Sequence, residues 1–100
     1  MSAHAEHRMH RHSLDAYLSE KLHLSARART IYLWVLEHGR ATDRQIMRGL
    51  GFTDPNAVRP RVTELVDALL LAEVGETRDA ETGKTVRLVD LRKSQGELPL

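Results

Sequence analysis

One hundred residues, 41% of them hydrophobic, suffice for a single domain with its own core, and the absence of cysteine excludes a disulfide framework, a thiolate nucleophile and a cysteine-ligated zinc site. The longest apolar run, Ile31 to Leu36, is far short of the roughly 18 residues of a membrane span, and the histidine-rich start has no signal-peptide apolar segment. A soluble protein of the reducing cytoplasm, with no membrane partner, is therefore expected. The net charge of +1 hides an asymmetry: residues 25–61 carry seven arginines against Glu37, Asp43 and Asp54, whereas residues 62–100 carry eight acids against five bases. A basic face made almost entirely of arginine is the footprint of a polyanion partner.

Residues 1–12 have no apolar periodicity and are expected to form a flexible arm. A single domain is expected over 13–91, followed by a flexible tail over 92–100. Its first helix, 13–23, is announced by Ser13 as N-cap and by Leu14, Tyr17, Leu18 and Leu22 at helical spacing. That stripe either pairs two copies of the chain or covers Trp34 within one.

The second helix follows Ser25 as cap, directs Ala28, Ile31, Trp34 and Val35 inward, and stops at Gly39. Trp34 is expected in the core, and Tyr32, off the main stripe, against the first helix or a partner. In "RATDRQIMRGLG", Thr42 and Gln45 have the spacing of a capping box, Ile46 and Leu50 share a face, and Gly51 ends the third helix. "RAT" can add a short strand before it.

The fourth helix is expected from Asn56 to Ala72, with Val58, Val62, Leu65, Val66, Leu69 and Leu70 as one apolar stripe. Pro60 within it has two explanations: Asn56 caps and Pro60 lies in the first turn, or Asp54 caps with Pro55 first and Pro60 bends the helix. The period then changes. Val74 leads one strand, "TVRLV" forms another, and Asp79 and Gly83 mark the turn of a hairpin. The class is mainly α with a small β-hairpin, α+β.

The run "T-D-x-x-I-x-x-x-L-G", then "N-x-V-R-P-R-x-x-E-L", then "T-G-K-T", resembles winged helix-turn-helix domains over residues 25–91. It is similar to small winged-helix proteins encoded by bacteriophages and to the MarR-like bacterial regulators. The resemblance implies a double-stranded DNA-binding protein that regulates transcription, of phage or prophage origin, acting in a bacterial cytoplasm. It also implies that the helix starting near Asn56 enters the major groove while the hairpin, as the wing, touches the backbone or minor groove.

On the helical wheel Arg59 and Thr63 flank the apolar stripe on one side and Arg61 on the other, with Asn56, Pro60, Glu64 and Asp67 opposite it. Asn56, Arg59, Arg61 and Thr63 form the expected reading set, since arginine matches guanine O6 and N7 and asparagine matches adenine N6 and N7. Glu64 and Asp67 would repel phosphate, which confines contact to the first two turns. Arg40, Thr42, Arg44 and Arg48 are the expected phosphate contacts, and Arg78 and Lys84 those of the wing. Any one of these arginines can equally be a solvated surface residue.

Other chemistry has little support. His4, His7, His10 and His12 invite a metal, but no scaffold around them fixes a geometry, so no metal and no cofactor is expected. No nucleophile elbow and no phosphate-cradling glycine loop is present, which argues against an enzyme. The rival function is a winged-helix module that grips a host replication or transcription protein, a reading favoured by the near-neutral charge and the acidic C-terminal half. A homodimer would allow two half-sites one duplex turn apart.

Overall fold

The computed structural model describes residues 13–92, and the order within them is α1 (helical over 13–20), α2 (Ala26–His38), β1 (Ala41–Thr42), α3 (Asp43–Leu50), a 3₁₀ turn (Pro55–Ala57), α4 (Arg59–Asp67), β2 (Leu71–Arg78) and β3 (Thr85–Leu91). The class is α+β, in the expected order, with the short strand present. The arm expected over 1–12 lies outside the described residues, as does the tail expected over 92–100 except for Arg92.

Helix α2 is central because its apolar face packs against α3, α4 and β3 and shares one core with the buried leucines of α1. Ala28, Ile31, Tyr32 and Val35 are buried there, against Leu14 and Leu18 of α1, Ile46 and Met47 of α3, and Val62 and Leu65 of α4. Leu71 and Val89 close the core from the sheet. Each of the larger aliphatic side chains among them contributes about 1.5–3 kcal/mol by leaving water. Of the α1 stripe, Leu14 and Leu18 are buried within the chain, Tyr17 is half-buried and Leu22 is exposed. Helix α1 itself ends earlier than expected, at residue 20. Residues 21–25 form the link to α2, with His23 at φ 55° and Arg29 reaching back to Asp15 at 3.0 Å and to the Leu24 carbonyl at 2.9 Å.

Of the two aromatic residues of α2, Trp34 is less enclosed than expected and Tyr32 more so. Tyr32 is 2% exposed, in the core, whereas Trp34 is only partly buried and stacks on His38 with ring centroids 4.2 Å apart. The indole lies over Gly49 of α3, where a Cβ would fall 2.5 Å from Trp34 Cζ2. Alanine for glycine in a helix ordinarily stabilises by roughly 1 kcal/mol. Gly49→Ala is expected to do the reverse, lowering stability by about 1–2 kcal/mol in thermal unfolding because the ring must leave its seat. An unchanged melting temperature would mean that the indole swings aside freely.

Helix α3 starts as its sequence requires. The Thr42 hydroxyl accepts from the Gln45 amide at 3.1 Å, and Gln45 Oε1 accepts from the Thr42 amide at 2.9 Å. Gly51, at φ 80°, ends it in the left-handed region.

The next segment departs from one long helix at both ends. Asp54 caps a 3₁₀ turn with Pro55 at its start, Val58 breaks the path at φ −114°, and α4 begins anew at Arg59. Pro60 is therefore in the first turn of α4, where its missing N–H has no intrahelical partner to lose. The outcome takes one part of each explanation: Asp54 caps with Pro55 first, and Pro60 lies in a first turn, because the 3₁₀ turn and α4 are separate elements that meet at Val58. At the other end α4 stops at Asp67 rather than Ala72. The Leu70 amide donates to the Leu65 carbonyl and the Leu69 amide to the Val66 carbonyl, both at 3.0 Å, a Schellman ending with Leu69 at φ 65° where glycine is usual. Leu69 leaves the stripe, 60% exposed, and Leu71 and Ala72 belong to β2. An apolar run such as "ALLLA" satisfies a helix stripe and a buried strand equally well, so periodicity alone cannot locate the stop.

The sheet order is β1-β3-β2, antiparallel throughout. Ala41 pairs with Val89 and Leu71 with Leu91. The strand begins at Leu71, paired with Leu91, rather than being led by Val74, which sits in a bulge between Glu73 and Gly75 and is 40% exposed.

Candidate functional site

The break at Val58 and the hairpin together create a cleft of about 610 Å³ between α3, the start of α4 and the β2–β3 turn. Met47, Val58 and Val86 supply its apolar surface, and Arg44, Arg59, Lys84 and Arg87 its cations, with Asp43 and Asp79 among them. Its walls are held by two networks of ion pairs.

The first centres on Arg87. Its Nε and Nη2 donate to Asp43 at 3.2 and 3.0 Å, Nη1 to Glu73 at 3.3 Å, and Nη2 also to the Thr63 hydroxyl at 3.1 Å and to the Arg59 carbonyl at 3.4 Å. One guanidinium thus ties β3 to the start of α3, to β2 and to the exposed side of α4. Burial disfavours its charge, but the bonds to Asp43 and Glu73 outweigh burial and raise its pKa. Sequence reasoning missed Arg87. Its local signal is only a charged residue inside a β-branched run, and the partners at 43, 63 and 73 are distant in the chain.

The second network joins the hairpin turn to α3. Asp79, 9% exposed, accepts from the Thr82 amide and hydroxyl, both at 2.9 Å, and from Arg44 Nε at 3.1 Å. The Thr82 amide bond lowers its pKa, against burial, with the Thr82 hydroxyl and Arg44 adding to the effect. Glu81 accepts from Arg44 Nη1 at 3.3 Å and pairs with Arg48 Nη2. The turn is otherwise closed on itself: the Asp79 amide donates to the Lys84 carbonyl at 2.8 Å, and Gly83 takes φ 73°.

These contacts sort the residues expected from sequence. Arg59 and Thr63 do share the cleft flank of α4, but the Thr63 hydroxyl is engaged by Arg87. Arg61 lies on the other flank, 3.3 Å from Glu64, and Asn56 is exposed in the 3₁₀ turn with its backbone N–H donating to the Asp54 carboxylate. Thr42 is 6% exposed with its hydroxyl in the capping box, which removes it from the set presented to solvent. Arg44 and Arg48 are paired with the hairpin acids, and Arg40 sits 3.6 Å from Asp90, away from the cleft lining. Arg78 donates to the Gly83 carbonyl at 2.9 Å, bracing the turn while keeping its charge.

Two cations remain. Among the described residues, neither the Arg59 guanidinium nor the Lys84 ammonium has a hydrogen-bond or ion-pair partner, and they stand on the two walls of the cleft. The histidines at 4, 7, 10 and 12 lie outside the described residues, and among the described ones no cluster of acids and histidines can hold a metal ion. No described helix is long and apolar enough to cross a membrane. Compared with family models, with curated proteins and with solved structures, the chain matches none.

Proposed function

We propose that this chain is a winged helix-turn-helix protein of phage or prophage origin that binds double-stranded DNA in the bacterial cytoplasm and regulates transcription. The observation that carries the reading is the pair of unpartnered cations, Arg59 at the first residue of α4 and Lys84 beside the hairpin turn, on opposite walls of one open cleft. A helix start that presents an arginine to solvent suits the major groove, where the first residues of the inserted helix meet base edges. The hairpin then lies against the adjacent backbone. Asn56 is exposed in the 3₁₀ turn just before Arg59, and Arg61, half-buried, lies on the other flank of α4. Two copies on one operator would have to pair through a surface other than Leu14 and Leu18, which are buried.

Electrophoresis of the pure protein with random duplex at low salt tests the reading. Retardation at micromolar protein that fades steeply as salt rises is expected. Absence of retardation sinks it and leaves the second reading, a module that binds a host replication or transcription protein. That reading is favoured by the pairing of Arg44 and Arg48 with Asp79 and Glu81, which neutralises much of the expected basic face. A nuclease-treated pull-down tests it directly.

A further inference from the structure

We propose that Glu81 competes with DNA phosphate for Arg44 and Arg48, so that the hairpin turn restrains the affinity of its own domain for duplex. This rests on the DNA-binding reading. Arg44 lines the cleft that holds Arg59 and Lys84, and its guanidinium lies between Asp79 and Glu81. Arg48, one helical turn further along α3, meets the same Glu81. A carboxylate held at these guanidinium groups occupies the position that a phosphate oxygen would take, because both anions present paired oxygens to the fork.

Asp79 and Glu81 are not equivalent. Asp79 organises the turn through Thr82, whereas Glu81 makes no such bond within the turn. The Glu81 side chain is 46% exposed and that of Arg48 59%, so the pair is screened by solvent and weakly held. Duplex DNA offers one negative charge per about 1.7 Å of its axis and gains counterion entropy on each neutralisation. Exchange of Glu81 for phosphate leaves the turn, the capping box and the core intact.

The test measures binding of a random-sequence duplex by fluorescence anisotropy at low and moderate salt. It compares wild type, Glu81→Gln, Glu76→Gln and Glu81→Gln combined with Arg48→Gln. Glu76 is exposed on the same hairpin with no ion-pair partner among the described residues, so its variant makes the same change of net charge without releasing an arginine. Glu81→Gln is expected to bind more tightly. Its plot of log affinity against log salt should steepen by roughly 0.9 for each arginine that engages, or about threefold more affinity lost per contact between ~50 and ~200 mM salt. Glu76→Gln should leave the slope as in wild type, and the double variant should lose the part carried by Arg48. Equal slopes for Glu81→Gln and Glu76→Gln overturn the proposal while the DNA reading stands, and weaker binding by Glu81→Gln also overturns it. If neither wild type nor Glu81→Gln binds, both fail.

Discussion

Arg87→Met is expected to lower the stability of the domain by about 2 kcal/mol, a fall of roughly 10 °C in the melting temperature for a chain of this size. Methionine keeps much of the stem and its packing, so the loss isolates the guanidinium. Removing it strips Asp43 of its three bonds and frees Thr63 and Glu73. Breaking a fully buried ion pair costs about 3–5 kcal/mol. The figure here is smaller because the Asp43 side chain is 18% exposed and sits in the first turn of α3, where the helix dipole favours a negative charge. Glu73, half exposed, is rehydrated when released.

Two further variants decide the mechanism. Arg87→Lys should recover only part of the loss, because an ammonium cannot span Asp43, Thr63 and Glu73 from one plane. Asp43→Asn combined with Arg87→Met should lose less than the two single losses added, as expected for residues in contact. If Arg87→Met melts with wild type, the network is a set of independent surface pairs and does not hold α4 against the sheet.

Arg59→Ala is expected to weaken duplex binding by about 5–150-fold if the guanidinium contacts a base, with stability within about 0.5 kcal/mol of wild type. Arg59 can be truncated cleanly because its carbonyl, not its side chain, joins the Arg87 network. The manner of the loss identifies the contact. A base contact lowers affinity for some sequences and not others, whereas a phosphate contact lowers it uniformly and reduces the salt slope by about 0.9. Arg61→Ala should cost less, since Arg61 already pairs with Glu64 on the opposite flank. Duplex affinity unchanged in Arg59→Ala at both salt concentrations would falsify the role given to this residue and shift attention to Lys84.

The internal neutralisation of the basic face bears on both results. Counted along the chain, residues 25–61 carry a surplus of arginine; in the fold, the acids that follow them return to the same surface. Asp79 and Glu81 come to Arg44 and Arg48, and Asp90 to Arg40. Around the cleft, the unpaired surplus is reduced to Arg59 and Lys84, with Arg61 and Arg78 weakly engaged; Arg27, exposed over the Phe52 ring, has no acid beside it among the described residues. A charge balance cut by sequence segment is therefore a poor map of surface potential when antiparallel strands fold one segment onto another.

What the sequence by itself determined is local chemistry. Thr42 and Gln45 form their capping box because the two partners are three residues apart, within one helical turn. Ser25 and Gly39 bound α2, and Gly83 supplies the left-handed residue of the hairpin turn, for the same reason. The flanks of α4 were also legible, because Arg59, Thr63 and Arg61 take their directions from a helical wheel that needs no neighbour.

What only the tertiary structure decided depends on contacts between distant segments. Whether "ALLLA" continues a helix or begins a strand is settled by β3, which pairs Leu71 with Leu91 and turns the chain at Leu69. Tyr32 rather than Trp34 fills the core because its neighbours leave that site enclosed, while Gly49 offers the indole a shallow seat at the edge. The roles of Arg44, Arg48 and Arg87 are of the same kind. Each guanidinium was visible in the sequence, but its carboxylate partners lie 14 to 44 residues away, at positions that only the closed sheet brings within hydrogen-bonding distance.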